Sequence, residues 1–216
     1  MGTLLNRRRY MGGGGSQDVF VTDINGVVYK VVNYIATPSS GTLPYIDTGF
    51  KANQDTSLEI KMKFLELPAN GWKSIFGAEI PRFSFIRNTS SAHRWDYNTT
   101  LTYLGSSQIH FVKNEPVTIL VDKNNFYVDG VQKAQVQYPS TTFTTPYNVA
   151  LFGNMRSTIG YQMPDLAVLF CKIKDNGVLI RDYIPVSRVS DGEYGLFDKQ
   201  NLIYYVSPNG EHFIGG

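Results

Sequence analysis

The chain predicts an all-β protein, a two-sheet antiparallel sandwich, and three observations carry that expectation. The segment SLEIKMKFLEL (residues 57–67) alternates: Leu58, Ile60, Met62 and Phe64 fall on one side, Glu59, Lys61 and Lys63 on the other. That is the pattern of a strand with one face in a core. Tight-turn dipeptides recur between apolar runs at Asn25-Gly26, Asp129-Gly130 and Asn176-Gly177. No stretch holds apolar residues at the 3.6-residue period for three turns. With 216 residues, including 14 Tyr and 13 Phe, the chain is long enough for one large sandwich with a sizeable core.

Residues 1–17, MGTLLNRRRYMGGGGSQ, stand apart. Arg7, Arg8 and Arg9 precede four consecutive glycines, Gly12 to Gly15, which give up unusually large backbone entropy on ordering. The segment reads either as a loose terminus or as a basic tether that orders against a partner. For the tether, Leu4, Leu5, Tyr10 and Met11 supply apolar area and the arginines supply charge-assisted donors.

From residue 18 the pattern turns β. DVFVTDI and VVYKVV flank Asn25-Gly26, expected as the central pair of a type I′ turn, so 18–33 is read as a β-hairpin extension. YIDTG (45–49) and then SLEIKMKFLEL open the main unit over 34–216. SIFGAE (74–79), FSFIR (83–87), LTYL (101–104) and SQIHFV (107–112) are short strand candidates. PVTILVD and FYVD follow, and Asp129-Gly130 turns the chain into VQKAQV, a meander. NVALFG (148–153) adds a strand, and a short helical turn is expected near 155–161. AVLFCKIKDNGVLIRDYIPV (167–186) turns on Asp175-Asn176-Gly177, and DGEYGLFDKQNLIYYV (191–206) and a terminal FIGG close the chain.

These closing segments resemble the last strands of concanavalin A-like, laminin-G-type jelly rolls, and YIDTG resembles their opening strand. The resemblance covers most of 34–216. It implies a jelly-roll sandwich, and a role of the kind such modules have in phage structural proteins or on the surface of gut bacteria.

Charge and composition remove several classes. A net charge of +2 is too small for nucleic-acid binding by the whole domain. A single cysteine leaves no intrachain disulfide. No run of about 18 apolar residues is present, so membrane insertion is not expected. The N-terminal arginines lead into no apolar h-region, and Asn6 stands where a myristoylation motif wants Ser or Thr; neither a cleaved signal nor that anchor is expected.

Catalytic patterns are sought and not found. Glycoside hydrolysis needs two carboxylates facing each other across the sugar. Glu59 and Glu66 lie at an odd offset on a strand, and Asp191 and Glu193 flank a glycine in an expected turn. Cys171 shares an alternate apolar set with Ala167, Leu169 and Ile173 and reads as a small core residue. His93, His110 and His212 fall in no zinc-binding spacing, and neither a G-x-S-x-G elbow nor a phosphate-cradling loop occurs. No catalytic residue, cofactor or metal is assigned. Laminin-G-type modules often hold Ca²⁺ at the sandwich rim, and the resemblance makes Asp47, Asp96, Asp122 and Asp165 the rim candidates, each also readable as a turn former.

The segment SSAHRWDYNTT (90–100) is the candidate ligand contact. A sugar site needs a flat aromatic for the apolar face of a pyranose and polar groups for its hydroxyls; Trp95 and Tyr97 supply the first, Arg94 and Asp96 the second. The competing reading is a hairpin whose aromatics are half buried. Trp72 is read as a core residue, and Asn88 and Asn98 lie in N-x-S/T sequons.

The expected function is a non-enzymatic phage virion protein, a capsid decoration, head fibre or tail-associated component assembled in the host cytoplasm. It would join other virion proteins through the arm as a homo-oligomer, and display the jelly roll toward a cell-surface glycan. The alternative is a carbohydrate-binding module on a bacterial cell surface.

Overall fold

A computed structural model describes residues 18–67, 71–89 and 92–216; the tether read at 1–17 lies outside the described residues. Among them the chain is all-β, with twenty strands and no helix. In chain order the first are β1 (Phe20–Thr22), β2 (Val28–Val31), β3 (Ile35–Ala36), β4 (Ile46–Asp47) and β5 (Thr56–Phe64). A meander follows: β6 (Lys73–Ala78), β7 (Arg82–Thr89), β8 (Ala92–Asn98) and β9 (Thr100–Gly105). Next come β10 (Val117–Asp122), β11 (Asn125–Val128) and β12 (Val131–Gln135), then the short β13 (Ala150–Leu151), β14 (Asn154–Met155) and β15 (Ile159–Gly160). The closing set is β16 (Leu166–Asp175), β17 (Val178–Arg188), β18 (Tyr194–Asp198), β19 (Ile203–Tyr205) and β20 (Ile214–Gly215).

Two sheets result, antiparallel except for one β14–β6 bridge. The larger runs β1-β2-β17-β16-β5-β10-β11-β12, with β18, β19, β3 and β20 joined at its flank. The smaller runs β15-β14-β6-β7-β8-β9, with β13 and β4 beside β6. Hydrophobic alternation explains why they face each other. Leu58, Ile60, Met62 and Phe64 of β5 are buried, as expected, and meet Phe76, Phe83, Phe85 and Trp95 of the smaller sheet in one core. Removing each such side chain from water contributes about 1.5–3 kcal/mol. A second small cluster gathers Tyr29, Val186 and Phe197 under the first hairpin, which is hydrogen-bonded to β17 through Val31↔Val186.

Local chemistry departs from expectation at four places. Asn176 and Gly177 both have positive φ (46° and 80°), as a type I′ turn requires, whereas at Asn25-Gly26 only Gly26 does (82°). There the carboxylate of Asp23 accepts from the Asn25 and Val27 amides, which favours a turn over 23–26 with Gly26 alone left-handed. In β16 a bulge between Val168 and Phe170 shifts the register. The inward set is therefore Leu166, Val168, Cys171 and Ile173, in place of the expected Ala167–Leu169–Cys171–Ile173 alternation. Near 155–161 the chain forms the β14–β15 pair and no helical turn. SQIHFV forms no strand, although Ile109 and Phe111 are buried in the core.

Candidate functional site

The β8 strand decides where the candidate ligand residues go. Its partners in register are Ser84↔Asp96, Phe85↔Trp95, Ile86↔Arg94 and Phe83↔Tyr97. Because side chains alternate across a strand, four consecutive residues cannot share a face. Trp95 and Tyr97 follow Phe83 and Phe85 into the core and are 0% and 1% exposed. Trp95 packs 5.5 Å from the Phe126 ring, and Tyr97 packs edge-on to Phe143 at 5.3 Å and donates its hydroxyl to the Gln54 carbonyl at 2.7 Å. Neither ring offers a face to a sugar. The stacking role expected for them is corrected: they are core residues.

Arg94 and Asp96 point the other way, onto the solvent side of the smaller sheet. There they belong to two cross-strand rows. One contains Gly77, Ser84, Asp96 and Leu101; the other contains Ile86, Arg94 and Tyr103. Arg94 Nε lies 2.7 Å from Asp96 Oδ1, and Ser84 donates its hydroxyl to Asp96 Oδ2 at 3.0 Å. The arginine contact is an ion pair rather than an aligned hydrogen bond, since the N–H is not aimed at the oxygen. Burial pushes the Asp96 carboxyl up, against Arg94, Ser84 and Arg82, which favour its charged form. The Arg94 guanidinium stacks over the Trp72 ring at 4.5 Å. Trp72 is half-buried and stands outside the core that the sequence assigned to it. Tyr103, opposite Arg94 on β9, is 63% exposed.

The polar row continues past Gly77 to Asn154. A Cβ at Gly77 would lie 2.5 Å from Ser84 Cβ and 2.7 Å from Asn154 Oδ1, so only glycine lets these two polar residues close over β6. Asn154 donates from Nδ2 to Glu79 Oε1 at 2.9 Å, and Arg156 Nε lies 3.8 Å from Glu79 Oε2. The result is a cluster of two buried carboxylates, the arginines paired with them, and aromatic rings at Trp72 and Tyr103. The arrangement fixes hydrogen-bond donors and acceptors beside aromatic surface.

No protein-family model matches this chain, and no curated protein matches it.

The remaining candidates are dispersed. Asp47 accepts from the Gly49 amide, Asp165 accepts from Ser39, Asp122 is exposed, and Asp96 is the buried partner of Arg94. Among the described residues no three His, Cys, Asp or Glu side chains are grouped to hold a metal ion. Asp191 and Glu193 both bind the Arg188 guanidinium. Cys171 is in the core, and burial pushes its thiol far up, away from the nucleophilic thiolate. His93 is buried, while His110 and His212 are exposed.

The sequence reading missed Trp72, Tyr103, Gly77 and Asn154. For Tyr103 a signal existed: alternation in a hairpin of β8 and β9 sets which residues share the face of Arg94, and Tyr103 pairs with it. For Gly77 and Asn154 none existed, because their meeting depends on the β14–β6 pairing across some 75 residues of chain.

Proposed function

We propose that this chain is a non-enzymatic binding protein of a phage virion, a β-sandwich displayed for attachment to a cell-surface glycan. The observation that carries the glycan part is the Arg94–Asp96 pair set between Trp72 and Tyr103 on the solvent side of the smaller sheet. Sugars are held by such a combination: ring stacking for the apolar C–H face, and charged groups already oriented for hydroxyls. Asp191 and Glu193 are engaged with Arg188, which supports a role without hydrolysis. The test is a glycan array probed with the full chain. Binding to at least one surface glycan, weakened about tenfold or more by Tyr103→Ala, is expected. An array with no bound glycan, or binding indifferent to Tyr103→Ala, overturns this site.

The virion part rests on the jelly-roll resemblance and on the basic, Gly-hinged arm at 1–17. That arm precedes β1, which among the described residues has a strand neighbour on one side only. Leu4, Leu5 and Tyr10 with Arg7, Arg8 and Arg9 form the assembly anchor, and several arms meeting at one site raise each other's effective concentration. Deleting residues 1–17 is expected to leave a folded sandwich, unchanged by circular dichroism, that no longer joins its particle or oligomer. Normal incorporation of the truncated chain would move the interface onto the sandwich.

A further inference from the structure

We propose that the face around Arg94 takes a sugar bearing a carboxylate, an inference that rests on the glycan reading above and names its ligand class. Arg94 is held from two sides. Its Nε is paired with Asp96 at 2.7 Å, and its plane lies on Trp72 at 4.5 Å. Asp96 is in turn fixed by Ser84 and is fully buried, so the pair has little freedom to turn. Among the described residues the two Nη atoms of Arg94 make no hydrogen bond or ion pair, and the side chain keeps 15% of its surface in solvent. A guanidinium fixed in this way presents its free end as a planar fork. A carboxylate fills that fork with two parallel N–H···O bonds, and a neutral hydroxyl fills only half of it.

The surrounding charges point the same way. Among the described residues, Arg82, Arg94 and Arg156 share this face with two carboxylates, Asp96 and Glu79. Arg82 acts on Asp96 from the same face, and its buried Nε has no hydrogen-bond partner, so the positive charge there exceeds what the protein itself neutralises. An arriving anion therefore meets surplus donors that are already desolvated, where a charge-assisted bond counts for more than in water. Tyr103, opposite Arg94, supplies the flat surface on which the pyranose ring carrying that carboxylate rests. Acid and ring are read by adjacent residues on adjacent strands, which makes an acidic monosaccharide unit the fitting ligand.

The experiment is an array of glucuronate-, galacturonate- and sialic-acid-terminated glycans, each beside its carboxyl-reduced counterpart, probed with the full chain. At least one acidic glycan is expected to bind tenfold or more tighter than its reduced partner. Arg94→Lys, which keeps the charge and loses the fork, is expected to erase that preference, with folding checked by an unchanged circular dichroism melt. Tyr103→Ala, at an exposed position, is expected to weaken the acidic glycan without unfolding the sandwich. Equal binding to acidic and reduced members, or a preference that survives in folded Arg94→Lys, overturns the carboxylate inference and leaves the glycan reading standing. Binding to no member of the array overturns both, and the wild-type comparison separates these outcomes even if Arg94→Lys fails to fold.

Discussion

Trp95→Ala is expected to lower stability by about 3–5 kcal/mol, the range for emptying a large aromatic from a core. The ring is fully buried between the sheets, with Phe126 at 5.5 Å and Tyr97 at 6.0 Å, and a strand residue hydrogen-bonded on both sides cannot move to fill the void. A loss of that size is a large share of the roughly 5–15 kcal/mol typical of a domain. Trp95→Phe should behave differently. The indole Nε1 is buried without a hydrogen-bond partner, and an unsatisfied buried donor costs about 1–3 kcal/mol. Replacing it by phenyl removes that penalty while opening only a small void, so a net change within about 1 kcal/mol is expected. Urea midpoints followed by far-ultraviolet circular dichroism measure both. If Trp95→Ala keeps the wild-type midpoint yet abolishes glycan binding, the ring works at the surface and the placement of β8 is wrong.

How far the sequence could be read follows from what kind of information each feature needs. Strand existence was legible wherever alternation was clean, as in β5, whose inward set matched residue for residue. So was the Asn176-Gly177 turn, because its φ requirement is local. The bulge in β16 was not legible, since nothing in AVLFCKIK marks which residue will be left unpaired; the neighbouring strand selects it. The Asn25-Gly26 hairpin was legible but its type I′ geometry was not, for a nearer reason: Asp23 offered the backbone a competing acceptor. At the candidate site the facing of the side chains was not legible. Arg94, Trp95, Asp96 and Tyr97 look like one constellation in a row of letters, but a strand divides any such run between two faces. The half on the solvent side found its aromatic partners elsewhere in the chain, in Trp72 just before β6 and Tyr103 on β9.

The buried histidine on the inner face of the same strand gives the chain an acid-sensitive core. Burial, reinforced by the Arg87 guanidinium and opposed by the Ile109 backbone, pushes His93 down from 6.5 to about 4. Its ring packs edge-on to Phe111 at 4.9 Å and near Phe85, surroundings that disfavour the imidazolium. Above the unfolded value both states hold the neutral ring and His93 adds no pH dependence. Between 6.5 and about 4 the unfolded chain binds a proton that the folded chain refuses, so stability falls as pH falls through this window. The full loss, reached below about 4, corresponds to about 3 kcal/mol. Carboxylates held low by hydrogen bonds, Asp55 by Tyr138 and Asp191 by Arg188, lose their contribution only further into acid. Asp96, raised by burial, acts with the opposite sign and equally in wild type and variant. Urea midpoints at about pH 7 and about pH 4 are therefore expected to separate much more for the wild type than for His93→Leu, which cannot titrate. Parallel profiles for the two proteins would place the acid sensitivity elsewhere and His93 within reach of water.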